Sequence, residues 1–187
     1  MFILGINYNN GDDHLRDEEF EQTLACLHNN YFEFRNIYFL DTIGNKGAQR
    51  LAQALLVTKC PIQILNLNNI NIGNKGMAIL AKTIPNISCS LEIIDLRWNK
   101  IGPKGATYLA NVLHANIRNG QNNTGSFVLK KLHLNKNKIR DIGVASLAAV
   151  LKNKCTIQVL NLQKIILGIW VRNVWPKLSK IISHCRG

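Results

Sequence analysis

The chain has 187 residues, 47% of them hydrophobic, so it is long and apolar enough to bury one continuous core. Five cysteines, an odd number, argue against a disulfide framework, and the longest apolar run, Ile165 to Val171, is too short for a membrane span and is broken by Gly168. The formal net charge of +12 is polarised: residues 1–41 carry 2 basic and 8 acidic side chains, whereas residues 42–187 carry 21 and 3.

Read in chain order, one pattern recurs. Leu4, Ile6 and Asn9 fit a short strand and the turn after it, and Phe20, Leu24 and Leu27 continue as a helix. Phe34, Ile37 and Phe39 predict the next strand, followed by Ile43, Gly47, Leu51 and Leu55. The third copy is Ile62, Leu65, Leu67, Ile70, Ile72, Gly76, Leu80 and Ile84. The fourth is Leu91, Ile94, Leu96, Asn99, Ile101, Gly105, Leu109 and Leu113. The fifth, at identical spacing, is Leu129, Leu132, Leu134, Asn137, Ile139, Gly143, Leu147 and Leu151. A sixth begins with Ile157, Leu160 and Leu162, then departs, with Ile165 for Asn and Val171 for Gly.

In each copy the first stretch alternates apolar and polar residues as a strand does, and the stretch after the glycine has helical spacing. Each unit is therefore one strand, one turn and one helix. The glycines lie 29, 29 and 38 residues apart, from Gly47 through Gly76 and Gly105 to Gly143. The long interval points to an insertion from about Ala115 to Phe127, whose Asn and Gly content predicts a flexible loop.

This layout, L-x-x-L-x-L-x-x-N-x-I-x-x-x-G-x-x-x-L-x-x-x-L, resembles the leucine-rich repeats of the ribonuclease-inhibitor-like subfamily, most strongly from Ile62 to Leu151. The resemblance implies an α/β fold, a right-handed β-α solenoid forming a horseshoe arc with parallel strands on the concave face and helices on the convex face. It implies a single domain of about six units: 1–33, 34–61, 62–90, 91–128, 129–156 and a degenerate 157–187. Stacks of this kind bind other proteins far more often than they catalyse reactions. Ran GTPase-activating proteins resemble the same repeats, which makes activation of a small GTPase the alternative. Those proteins have more units and an acidic tail, whereas this chain ends in Cys185, Arg186 and Gly187, and none of their contact residues matches one to one.

Asn99 and Asn137 fall where the chain leaves the strand, and an amide there satisfies backbone groups that no ladder covers, so their expected role is structural. Gly47, Gly76, Gly105 and Gly143 open the helices, where little room is left between units. Asn45, Asn74, Pro103 and Asp141, two places earlier, suit N-cap or first-turn positions. Cys60, Cys89 and Cys155 share one repeat position and read as a reduced, partly buried row. The terminal stretch containing Trp170, Trp175, Pro176, Leu178 and Ile181 is expected to fold over the fifth unit as a cap, the alternative being the remnant of a longer array with its apolar end exposed.

The residues between the apolar strand positions should form the open face. They are Gln63, Ile64, Asn66, Asn68 and Asn69; Glu92, Ile93, Asp95, Arg97 and Trp98; Lys130, Lys131, His133, Asn135 and Lys136. Gln158, Val159, Asn161, Gln163 and Lys164 continue the pattern, and Tyr38 joins from the second unit. Trp98 and Arg97 rank first because Trp and Arg anchor interfaces. Asp95, His133, Lys131, Lys136, Tyr38, Asn66 and Asn68 complete the candidate partner-binding set.

The basic C-terminal part would steer a protein partner with an acidic surface, although the abundant Asn, Lys and Ile are also what an adenine- and thymine-rich coding sequence yields. Nucleic-acid binding is not expected, since the basic residues are spread, aromatics are few and no nucleic-acid module is present. No cofactor or metal is expected either: the five histidines show no ligand spacing, and there is no phosphate loop, nucleophile–His pairing or paired carboxylate in register. With Phe2 to Ile6 too short for a secretory signal, the expected compartment is the cytosol of whichever cell makes or receives the chain, with no membrane contact. The oligomeric state is left open.

Overall fold

The computed structural model describes residues 2–6, 13–29, 34–39, 42–58, 61–86, 90–119, 129–151 and 157–165. Strand and helix alternate along the chain: β1 (Phe2–Ile6), α1 (Asp13–Asn29), β2 (Phe34–Phe39), α2 (Gly44–Val57), β3 (Ile64–Asn66), α3 (Asn74–Thr83), β4 (Ile93–Asp95), α4 (Pro103–Asn119), β5 (Lys131–His133), α5 (Arg140–Leu151) and β6 (Val159–Asn161). The six strands form one sheet in chain order, every neighbouring pair parallel. The helices pack in the same order, α1 on α2 through α4 on α5.

The register carries the repeat directly into space. Leu65, Ile94, Leu132 and Leu160 are aligned across β3 to β6, with Ile37 leading the row in β2. Ile37, Leu65, Ile94 and Leu132 are completely buried. Each faces the helix layer, where Leu51, Leu80, Leu109 and Leu147 repeat at equivalent positions and are likewise buried. The apolar set at three- and four-residue intervals gives every helix one buried stripe, and the stack of stripes is a single continuous core.

Two asparagine systems tie units together. Asn99 Oδ1 accepts from the Ile72 N–H of the preceding unit at 2.9 Å, and its Nδ2 donates to the carbonyls of Leu67, Leu96 and Arg97. Asn137 repeats this one unit on, accepting from Ile101 N–H at 3.0 Å and donating to Leu96 and Leu134. Both are 4% exposed. In the second system Asn45 and Asn74 take first-turn positions of α2 and α3, as expected, but their side chains act on the next unit. Asn45 and Asn74 do not cap their own helices; Ile43 and Gly73 hold the cap positions with no side-chain cap bond. Instead Asn45 Oδ1 accepts from Gly73 and Gly76 N–H, and Asn74 Oδ1 accepts from Gly102 and Gly105 N–H, each at the start of the next unit's helix. The geometry explains the glycines: a Cβ at Gly105 would lie 2.8 Å from Asn74 Oδ1 and 2.9 Å from Ile101 Cγ2, and one at Gly143 would lie 2.4 Å from Ile139 Cγ2. The relay ends at Pro103, which carries no amide.

The loop expected from Ala115 to Phe127 also begins late. Helix α4 continues through Asn119, because no glycine or proline interrupts the chain between Gly105 and Gly120. The rest of that insertion, the cysteine row at Cys60, Cys89 and Cys155, Asn9, and the terminal stretch beyond residue 165 lie outside the described residues. Among the described residues no helix is long and apolar enough to cross a membrane.

Candidate functional site

On the face of the sheet away from the helices, the side chains fall into rows that run across the strands. One row is Asn36, Ile64, Ile93, Lys131 and Val159; a second is Tyr38, Asn66, Asp95, His133 and Asn161. Beyond the strands the ladder continues through Asn69 N–H to Arg97 O, Trp98 N–H to Asn135 O and Lys136 N–H to Gln163 O. This aligns a third row, Asn68, Arg97, Asn135 and Gln163, and a fourth, Asn69, Trp98, Lys136 and Lys164.

The ends of the strands are built by local hydrogen bonds. Asn66, Asp95 and Asn161 each accept from the backbone N–H two residues on, at 3.0 Å. Such turns are what short Asx side chains form when a strand must stop. In the fourth unit the carboxylate has a second task. Arg97 Nε donates to both oxygens of Asp95 at 2.9 and 2.8 Å, and Arg97 NH2 reaches Asp95 Oδ2 at 2.6 Å. The hydrogen bonds to Asp95 raise the Arg97 pKa above its usual value, against partial burial. Asp95 itself is 6% exposed. It orients Arg97 and offers little surface of its own. Asn68 is half-buried with its amide oxygen enclosed, and Asn66 is half-buried with its oxygen engaged in the turn.

Trp98 stands apart. It is 54% exposed, whereas Tyr38 on the same face is half-buried, and its backbone lies in the left-handed region at φ 56°. The whole fourth row shares that conformation: Asn69 at 57°, Lys136 at 61° and Lys164 at 55°. Asn tolerates the left-handed region readily, whereas a bulky side chain there is strained. Lys136 Nζ lies 3.8 Å from the centre of the Trp98 ring, a cation–π contact that holds the indole and the ammonium against each other. Desolvation there, and the nearby Lys164 ammonium, hold the Lys136 pKa below its usual value.

His133 sits between Asp95 and Asn161 in its row. Burial lowers its pKa, Asp95 opposes this, and Arg97 and Lys131 add to it, which favours the neutral imidazole. Lys131 is exposed beside it. Tyr38 is two strands from Asp95 and does not join the cluster around Trp98. Of the nine candidate contact residues, then, the structure brings Asp95, Arg97, Trp98, Lys131, His133 and Lys136 together on β4, β5 and the turns after them. Among the described residues no His, Cys, Asp or Glu group has the arrangement of a metal site.

A leucine-rich-repeat family model matches residues 88–110 and 125–148, the third and fourth glycine-bearing turns with their flanking strands and helices. The fold is a leucine-rich-repeat solenoid. Solved structures agree. The actin-binding site 2 of leiomodin-1 matches with TM-score 0.65 and 16% identity, over 89% of this chain and 88% of that one. The C-terminal domain of Caenorhabditis elegans tropomodulin matches with TM-score 0.58 and 12% identity, over 89% of this chain and 92% of that one. At such identities the likeness is one of fold. No curated protein sequence matches this chain.

The sequence pattern located the open face of these leucine-rich repeats but missed the left-handed row and the relay from Asn45 and Asn74. The relay had a signal, the 29-residue recurrence of Asn two places before the glycine. Left-handed geometry at Trp98 and Lys136 had none, because neither residue type suggests it.

Proposed function

We propose that this chain is a non-catalytic interaction module that holds a protein partner on its concave face, with Trp98 as the anchor. The observation that carries this reading is the state of Trp98: half exposed, on a left-handed backbone that disfavours it, and fixed by Lys136. A large aromatic kept at a strained, solvent-facing position contributes little to folding, and backbone strain concentrates at functional sites. The likeness to the actin-binding site of leiomodin-1 supports recognition of a protein. The 29-residue period, with a helix in each of the first five units, supports placing these repeats with the ribonuclease-inhibitor-like kind. Lys131, Lys136 and Lys164 favour an acidic partner surface, while Arg97 is committed to Asp95.

The test compares three baits in the same cell extract: the unaltered chain, Trp98→Asn, and Lys82→Glu on the exposed side of α3. A partner anchored at Trp98 should bind Trp98→Asn more weakly by about 2 kcal/mol or more, and bind Lys82→Glu almost normally. Normal binding to Trp98→Asn with loss on Lys82→Glu would move the interface to the convex face.

A further inference from the structure

The open face divides by charge. Its fourth-unit carboxylates are both paired within the chain, Asp95 with Arg97 and Glu92 with Lys130, whose Nζ lies 2.7 Å from Glu92 Oε1. The open-face positions of units five and six, Lys130 to Lys136 and Gln158 to Lys164, hold no acidic residue at all. At the exit of β5 and β6 two lysines stand at equivalent positions in neighbouring units. Lys136 is pinned over the Trp98 ring, and Lys164 is the next residue in the left-handed row, where the Lys136 N–H donates to the Gln163 carbonyl beside it. Two like charges brought together repel, and a bound anion would relieve the repulsion. Half-buried Ile64 and Ile93 lie in the first row, with Val159 at its far end, and the rows of Asp95 and Arg97 separate them from Trp98.

We propose that Lys136 and Lys164, braced by the Trp98 indole, form a carboxylate-binding subsite for an acidic peptide segment of the partner. This rests on the concave face being the binding face. The surroundings favour peptide over nucleic acid. One face of the Trp98 ring is already covered by Lys136, and the Glu92 carboxylate and the aliphatic row offer nothing to a phosphate backbone. Each Lys-to-carboxylate contact is a charge-assisted hydrogen bond, and Lys136 reaches it already immobilised.

The structure also supplies the substitution for the test. Asn69 occupies the same left-handed position in the third unit, so Lys136→Asn and Lys164→Asn remove the charges without disturbing the backbone. A random dodecapeptide library panned on the unaltered chain, followed by anisotropy titration of the recovered peptides, reads the outcome. The expected result is peptides enriched in Asp and Glu. They should bind Trp98→Asn poorly, and bind the Lys136→Asn/Lys164→Asn double variant at least about tenfold more weakly. The double variant should melt as the unaltered chain does; a marked drop would make the lysines part of the packing and overturn the subsite. Peptides that need Trp98 but show no acidic bias and ignore the double substitution overturn the subsite and leave the concave-face reading standing. Recovered peptides indifferent to Trp98, or no recovered peptides, overturn both. A single-stranded oligonucleotide that binds more tightly than the peptides and is lost in the double variant reassigns the ammonium pair to phosphate and overturns the proposal.

Discussion

Trp98 and Asn99 are adjacent in the chain and belong to neighbouring rows that answer to different demands. The row of Asn69, Trp98, Lys136 and Lys164 lies at the edge of the open face, in left-handed backbone, with its large side chains turned to solvent or to one another. The row of Ile70, Asn99, Asn137 and Ile165 lies one residue further on and packs into the core, its two asparagines engaged with backbone of their own and the preceding unit. A residue in the second row is judged by how many buried groups it satisfies. A residue in the first row lies at the surface, and under the proposed function its identity is free to follow a partner.

The comparison is broken most forcefully in the buried row. Asn99→Ala leaves four backbone partners short of a hydrogen bond and should destabilise the fold by about 3 kcal/mol in urea melts. Asn137, with three such contacts, should cost somewhat less, and equal, negligible losses for both would remove their role. Gly143→Ala should follow at roughly 2 kcal/mol, because its new methyl group meets Ile139 and Ala106 at distances that force the units apart. Asn74→Ala withdraws the acceptor from Gly102 and Gly105 and should lower stability by about 1 kcal/mol, the typical worth of a helix N-terminal acceptor. Thermal unfolding of the single variant reads this directly.

The smallest effect lies on the open face and depends on pH. His133 has a folded-state pKa below its unfolded value, so below about pH 6.5 the unfolded chain takes up a proton that the folded chain resists. The contribution is present above the unfolded pKa and is lost as pH falls toward and through the folded one. Stability should therefore decline between pH 7.5 and 5.5 more steeply in the unaltered chain than in His133→Gln. Parallel pH profiles would contradict the assignment.

Much of this was legible in the residues. Periodic Leu and Ile set the strand and helix faces, Asn99 and Asn137 marked the strand exits, and Gly47, Gly76, Gly105 and Gly143 marked the close approach of helices, since all of these depend on spacing alone. The parts that were not legible depend on which of several reachable partners a side chain chooses. Asn74 could cap its own helix or the next, and only the inter-unit distance decides. Asp95 reads as an open acidic contact until Arg97, two residues away on the same edge, is seen folded back onto it. Trp98 was visible as a candidate anchor, but its strain and its lysine brace come from a backbone conformation that the residue type argues against.

The division between the two rows is tested most directly by equilibrium urea unfolding of Trp98→Asn beside the unaltered chain. Exchanging a strained indole for the residue that Asn69 already places in this row should leave the midpoint unchanged or raise it, by up to about 1 kcal/mol in stability. A loss of more than about 1 kcal/mol would show that the indole holds the fold together, and Trp98 would then belong with Asn99 rather than with a partner.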